Sequence, residues 1–276
     1  MTRVGFIGLG SQGAPMARRV VEAGFPLTIW ARRSASVDPF RDTNAQVASS
    51  PAELAAASDI VEICVVTDVD VEDVLLGSDG VLAGLSPGGL VAIHSTVHPD
   101  TCIRLAKRAA EGGVGLIDAP VSGGGDVAAS GQLLVMAGGD EELVERCRPV
   151  FETFAHPMLH LGGVGSGQAA KLLNNLVFTA QIAVALDTFS FGDRLGVDRL
   201  ALSEVLAHGS GGSRAAAIVA NSGFDLSGLR GAARLLEKDV TIVLDVAQAR
   251  DAADPSVLTD LARSTLATLA ADDELA

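Results

Sequence analysis

Between Arg3 and Gly138 the chain alternates short apolar runs with helical patterns, and few architectures accept that order. "RVGFIG" (3–8), "LTIWA" (27–31), "DIVEICVV" (59–66), "GGLVAIHS" (88–95), "VGLIDAPV" (114–121) and "LLVMAG" (133–138) read as buried strands. "PMARRVVEAG" (15–24), "CIRLAKRAAEGG" (102–113) and "EELVERCRPVFETF" (141–154) read as helices between them. Ser50-Pro51-Ala52-Glu53 matches a capping box with proline at the first helical position. Strand–helix alternation of this kind predicts an α/β fold with a parallel, doubly wound sheet. Beyond about residue 165 the strand signals stop. A long apolar helix (roughly 167–193) leads into "RLALSEVLAH" (199–208), "AARLLEKDVTIVLDVAQAR" (232–250) and "PSVLTDLARSTLATLA" (255–270). The expected organisation is an α/β domain over 1–164 and an all-helical domain over 165–276 that opens with an interdomain helix. The Gly-rich pieces 122–125 and 209–212 read as loops.

"GLGSQG" (8–13) sits where the first strand gives way to the first helix. In a Rossmann-type domain Gly8 permits the tight turn, Gly10 lets the backbone approach a pyrophosphate, and Gly13 allows close packing. The helix amino terminus faces the anion. Leu9, Ser11 and Gln12 complete the cofactor loop. After the second strand, where an acid would hold the ribose hydroxyls of NAD, the chain has Ala31-Arg32-Arg33-Ser34. Arginines there favour a 2′-phosphate, so NADP is expected ahead of NAD.

The composition narrows the chemistry. The formal charge of −14 repels nucleic acid and anionic membrane surfaces, so neither is an expected partner. Tyrosine is absent, which excludes Tyr-dependent reductase chemistry. Cys64, Cys102 and Cys147 are odd in number and widely spaced, as suits reduced thiols in a cytoplasm. No metal-ligand spacing, signal peptide or bilayer-length apolar run is read from the sequence. The five histidines show no partnering acid pattern and are expected on the surface or in loops.

One short stretch breaks the apolar character of the long helix. In "QAAKLLNN" (168–175), Gln168, Lys171, Asn174 and Asn175 form a polar stripe at helical spacing, and Lys171 is the only formally charged residue between Pro157 and Leu186. Such a stripe needs a partner. Bland partners are possible: a snorkelling lysine, asparagines linking helices, and an exposed Lys238–Asp239 pair.

Four separated segments resemble the β-hydroxyacid dehydrogenase family, which includes 3-hydroxyisobutyrate dehydrogenase, tartronate semialdehyde reductase and 6-phosphogluconate dehydrogenase. "GFIGLGSQGAPMA" is similar to its cofactor loop, "DAPVSGG" (118–124) to its substrate-binding segment, "GSGQAAKLLNN" (165–175) to its catalytic segment and "EKDV" (237–240) to its carboxy-terminal lysine signature. The chain departs from the family at Gln12, where methionine is frequent, and at Ala31-Arg32-Arg33, where Asn-Arg-Thr is frequent.

The resemblance implies hydride exchange between NADP and a small anionic β-hydroxyacid or its semialdehyde, with Lys171 as general acid/base. An amine among Ala and Leu side chains is desolvated, and a second cation such as Lys238 would repel its charge; both effects favour the neutral base. Asn175 would hold the substrate oxygen or carboxylate. Ser122, Gly123 and Gly124 would meet the carboxylate, Lys238 would help position the substrate, and Thr96 resembles a residue near the nicotinamide. The apolar helix after Gln168 is expected to pack against a second copy in a homodimer. An imine reductase of the same architecture and a non-enzymatic NADP-binding sensor or scaffold are the rival readings.

Overall fold

The computed structural model describes residues 1–271. The chain forms two compact units, Met1–Lys171 and Leu172–Ala276.

The first unit begins with β1 (Val4–Ile7), α1 (Gly13–Glu22), β2 (Leu27–Trp30), a 3-10 turn over Ser34–Phe40, β3 (Gln46–Val47), α2 (Pro51–Ala56) and β4 (Ile60–Ile63). It continues with α3 (Asp68–Leu76), α4 (Val81–Gly84), β5 (Leu90–Ile93), α5 (Pro99–Ala110) and β6 (Gly115–Asp118). These strands pair in the order β3-β2-β1-β4-β5-β6, all parallel. Every residue of β1, β4 and β5 is buried, as a sheet covered on both faces requires. Strand side chains alternate between faces. Phe6 thus joins Met16, Val20 and Phe151 in one core, and its neighbour Ile7 joins Leu54, Leu75 and Leu105 in the other. The order reverses between β1 and β4, the place where doubly wound sheets open a crevice for ligands.

Local chemistry sets the helix starts. Ser50 Oγ accepts from Glu53 N at 3.1 Å, as its motif suggests, but the Glu53 carboxylate returns to Ser49 N at 2.6 Å and not to Ser50. A fully reciprocal box occurs at the start of α3: Asp70 N donates to Thr67 Oγ1 and Thr67 N to Asp70 Oδ2, each at 3.1 Å.

One strand departs from expectation. The "LLVMAG" run forms a strand outside the parallel sheet. After β7 (Val121–Ser122) and α6 (Gly125–Ala129), β8 (Leu133–Ala137) pairs antiparallel with β7, then α7 (Glu141–Phe151) leads to β9 (Ala155–His160), which pairs parallel with β8. A single antiparallel bridge, Asp118 to Gly138, links the end of β6 to the residue after β8.

α8 (Ser166–Arg194) runs for 29 residues through the boundary between the units. α9 (Arg199–His208), α10 (Arg214–Asn221), α11 (Ser227–Ala249) and α12 (Ser256–Ala271) complete the second unit. Its core gathers Ile182, Phe189, Val219, Leu236 and Leu269, with Leu176, Val240 and Ala262 in a smaller cluster. Asp198 and Ser213 cap α9 and α10 by accepting from Ala201 N and Ala216 N. By length and composition α8 is apolar enough to cross a bilayer, which corrects the sequence reading that no run reaches that length. Ile182, Ala185 and Phe189 instead place it in the core of its own unit.

Candidate active site

The three loop glycines have different causes. Gly8 has φ +99°, and a Cβ there would lie 2.1 Å from the Cys64 carbonyl oxygen; at Gly13 it would lie 2.0 Å from the Gly8 carbonyl oxygen. Packing of β1, β4 and α1 therefore demands both. At Gly10 a Cβ would meet nothing within 4 Å. Packing does not explain that glycine, whereas a ligand lying against the main chain does. A cleft of about 420 Å³ opens beside it, lined by Gly8, Gly10, Arg32, Arg33, Val65 and Asp70 among others. The loop and cleft fit a dinucleotide.

Of the remaining loop residues, Leu9 is buried in the core and also lines the cleft. Ser11 is exposed, and Gln12 has a buried Nε2 without a hydrogen-bond partner. The arginines after β2 are not equivalent. Arg32 donates from Nη2 to Asp70 Oδ1 at 2.7 Å, while Arg33 is exposed and enters no ion pair among the described residues.

The residue that follows the 118–124 segment lies against the Gly8–Gly13 loop. A Cβ on Gly125 would sit 2.6 Å from the Ser11 carbonyl oxygen, which brings the start of α6 against residue 11. Ser122 ends β7 and is half-buried; Gly123 and Gly124 follow at φ +146° and +87°, a conformation that favours glycine. Space around Gly124 is open, with nothing within 4 Å of a Cβ. Thr96 is half-buried on the loop after β5, beside Ser95, whose Oγ accepts from Val65 N at 2.8 Å.

The first turn of α8 is tied to both strand ends. Asp118 Oδ1 accepts from Gly165 N at 2.6 Å and Oδ2 from Gln168 N at 2.8 Å. Gln168 is fully buried; its Oε1 accepts from Val97 N at 3.1 Å and its Nε2 donates to Ser95 O at 2.8 Å. Burial pushes the Asp118 carboxyl up to about 6 against the opposing effect of those backbone donors. Lys171 follows three residues after Gln168 and is only 9% exposed.

In the helical unit the expected substrate groups engage one another. Asn175 Nδ2 donates to Asp239 Oδ2 at 2.6 Å, Asn174 Nδ2 donates to Asn175 Oδ1 at 3.0 Å, and Lys238 Nζ lies 2.9 Å from Asp239 Oδ1. Asp239 thus orients both Asn175 and Lys238. Sequence reasoning missed Asp118 and Asp239 as organisers, although each lies inside a quoted motif.

His94 corrects the expectation of surface or loop histidines. It is buried among Phe6, Phe151 and Phe154, donates from Nδ1 to Ala119 O at 2.7 Å, and has Nε2 3.6 Å from Glu62 Oε2. All three cysteines are free, and burial holds the thiols of Cys102 and Cys147 well above the ordinary range, so neither offers a nucleophile.

Comparison with known proteins agrees with this geometry. Residues 3–163 match the NAD-binding domain of 6-phosphogluconate dehydrogenase, and residues 165–275 match the NAD-binding domain of NADP-dependent 3-hydroxyisobutyrate dehydrogenase. The NAD-dependent L-serine dehydrogenase of Pseudomonas aeruginosa is 33% identical over 92% of this chain and 88% of its own. A solved structure of Mycobacterium tuberculosis 3-hydroxyisobutyrate dehydrogenase with L-serine is 30% identical, with a TM-score of 0.85 over 99% of this chain and 94% of that one. Another, described as Psf3 in complex with NADP+ and 2-OPP, is 29% identical, with a TM-score of 0.83 over 96% of this chain and 93% of that one. A dinucleotide loop, a buried lysine on α8 and matches over both units converge, and the chain belongs to the β-hydroxyacid dehydrogenase family as an NAD(P)-dependent hydroxyacid dehydrogenase.

Proposed function

We propose that the protein is an NADP-preferring dehydrogenase or semialdehyde reductase for a small β-hydroxyacid, with Lys171 as general acid/base. The observation that carries this reading is the burial of Lys171, an amine 9% exposed on a helix whose first turn is anchored beside the cofactor loop's sheet. A lysine that served only to solvate the surface would not be buried there.

Residues 1–164 would hold the cofactor and 165–276 would form the substrate and dimerisation domain. Gly8–Gly13 would receive the pyrophosphate, Arg33 and a released Arg32 the 2′-phosphate, and Thr96 would stand by the nicotinamide. When bound, the nicotinamide exchanges a hydrogen and two electrons with the substrate carbon. In the oxidising direction Lys171 takes the hydroxyl proton as the C–H bond breaks and the carbonyl forms; in reverse it returns that proton to the oxygen. Ser122, Gly123 and Gly124 would bind the carboxylate, and Asn175 and Lys238 would orient the reacting end.

The substrate panel should contain small hydroxyacids, L-serine included because a similar protein was solved with it, and the corresponding semialdehydes. Turnover with either cofactor is read from reduced-cofactor absorbance. Activity on cyclic imines alone would favour the imine reductase reading, and cofactor binding without turnover of any panel member the sensor reading. We also propose a homodimer. Leu173, Val177, Val184 and Phe191 are exposed at spacings of four and then seven residues, one apolar stripe along α8. Light scattering at micromolar protein tests it, and a stable monomer would refute it. Free thiols at all three cysteines suit a reducing cytoplasm.

A further inference from the structure

We infer that Asp118 and Gln168 are positioning residues: together they clamp the first turn of α8 to the chain after β5 and β6, fixing the spacing of Lys171 from Thr96 and Ser122–Gly124. The inference rests on the reading of Lys171 as the proton carrier.

A helix start leaves backbone N–H groups without intrahelical partners. α8 meets that need from elsewhere in the sequence, since Asp118 accepts from the N–H of Gly165 and Gln168, 47 and 50 residues away. The junction has no slack. A Cβ on Gly167 would lie 2.2 Å from Met136 O, and one on Gly138 would lie 2.6 Å from Asp118 Oδ1 and 2.8 Å from Gly167 N. Three main-chain segments therefore close around one carboxylate. Gln168 adds a second tie with both ends of its amide, holding Val97 N and Ser95 O, the residues on either side of Thr96. Asp118 ends β6, and two residues later the chain enters β7 and Ser122. Lys171 is one helical turn from Gln168, so displacement of this first turn moves the amine with it.

The choice of residue also speaks for function. Burial raises the Asp118 carboxyl from 3.8 to about 6, so its charged form opposes folding at neutral pH. A serine or asparagine could supply a cap without that cost. A carboxylate with two acceptor oxygens binds both N–H groups at once and holds the helix at one angle and depth. Proton transfer needs such placement, because an error of about 1 Å can cost about a hundredfold in rate.

The test compares Asp118→Asn, Gln168→Met and the control Asp140→Ala, which removes the cap of α7 at Glu142 N. Expected for Asp118→Asn and Gln168→Met is a fall in kcat of about 30- to 100-fold, with NADP(H) dissociation constants, read by cofactor fluorescence, within about twofold of wild type. Asp140→Ala should lower Tm and leave kcat unchanged. In a Lys171→Met background Asp118→Asn should cause no further loss of residual turnover, because the group being positioned is gone. Wild-type kcat in either folded clamp variant, with Lys171→Met inactive, overturns the clamp alone, as do losses that multiply in the double variant. Near-normal turnover in Lys171→Met overturns the underlying reading of the lysine.

Discussion

Arg32 and Asp70, both lining the cleft beside Gly10, form an ion pair with Nη2 and Oδ1 2.7 Å apart. Arg32 is therefore engaged, and on the proposed NADP preference Arg33 would be the cation that meets the 2′-phosphate. Arg33→Ala should weaken NADP(H) about 10- to 100-fold, the worth of charge-assisted hydrogen bonds to a phosphate. NAD(H) binding should change little. Asp70→Asn should strengthen NADP(H) binding by releasing Arg32 and removing a negative charge. Titration of both cofactors by fluorescence checks each arm, and an unchanged NADP(H) to NAD(H) ratio in Arg33→Ala contradicts the assignment.

Gly8 and Gly10 should respond in opposite ways to the same methyl group. Gly10→Ala places its Cβ in open space, so unfolding free energy should stay within about 0.5 kcal/mol of wild type. Cofactor affinity should fall at least about tenfold, since the methyl blocks approach to the main chain. Gly8→Ala forces a Cβ against the Cys64 carbonyl at a positive φ, and should lose about 2 kcal/mol or more of stability. Urea unfolding beside cofactor titration separates the two.

Asp239 is 5% exposed and accepts from Asn175 while facing Lys238. Its truncation to alanine removes the acceptor of Asn175 and one partner of Lys238, and should cost about 1–3 kcal/mol. Substrate KM should rise as Asn175 and Lys238 lose their orientation. Asp239→Asn keeps an acceptor for Asn175 and should be milder on both counts. Equal KM in wild type and Asp239→Ala would show that Asn175 and Lys238 serve the helix pair only.

Asp118 gives stability a pH signature. Its folded-state value, about 6, lies above the ordinary 3.8, so the native state holds more protons between those values. The stabilising contribution is present below pH 3.8 and is lost as pH rises through 6. Between pH 5 and pH 7 wild type should therefore lose about 1 kcal/mol relative to Asp118→Asn, which has no such titration. Denaturant titrations of both proteins at the two pH values measure it. A difference that stays flat or runs the other way refutes the assignment.

The parts of the fold legible in the sequence are those set by local pattern. The runs at Val4–Ile7 and Leu90–Ile93 are continuously apolar, and Ile60–Ile63 is so apart from the buried Glu62, because both sheet faces are covered, and the glycines at 8 and 13 mark the turn that follows. An apolar run announces burial but not its partner, so Leu133–Ala137 reads like another strand of the main sheet. Ala155–His160 is unreadable as a strand because Pro157 interrupts it and four of its residues are exposed. Gly209–Gly212 hides α10, an eight-residue helix started by the Ser213 cap. His94 reads as a surface or loop histidine, since its cage of Phe6, Phe151 and Phe154 comes from distant segments. At the site, "QAAKLLNN" exposes its polar stripe, but the tie from Gln168 to Ser95 spans 73 residues and no local spacing encodes it.

The decisive measurement is single-turnover and steady-state kinetics of Lys171→Met and Lys171→Arg against wild type, with cofactor binding measured in parallel. Methionine keeps the length and apolar body of the side chain, so fold and NADP(H) binding should survive while turnover falls by about two to four orders of magnitude. Arginine keeps the charge but cannot release and take up a proton at working pH, so it should fail almost as badly. Near-normal turnover in Lys171→Arg would reduce Lys171 to an electrostatic anchor and contradict proton transfer through this amine.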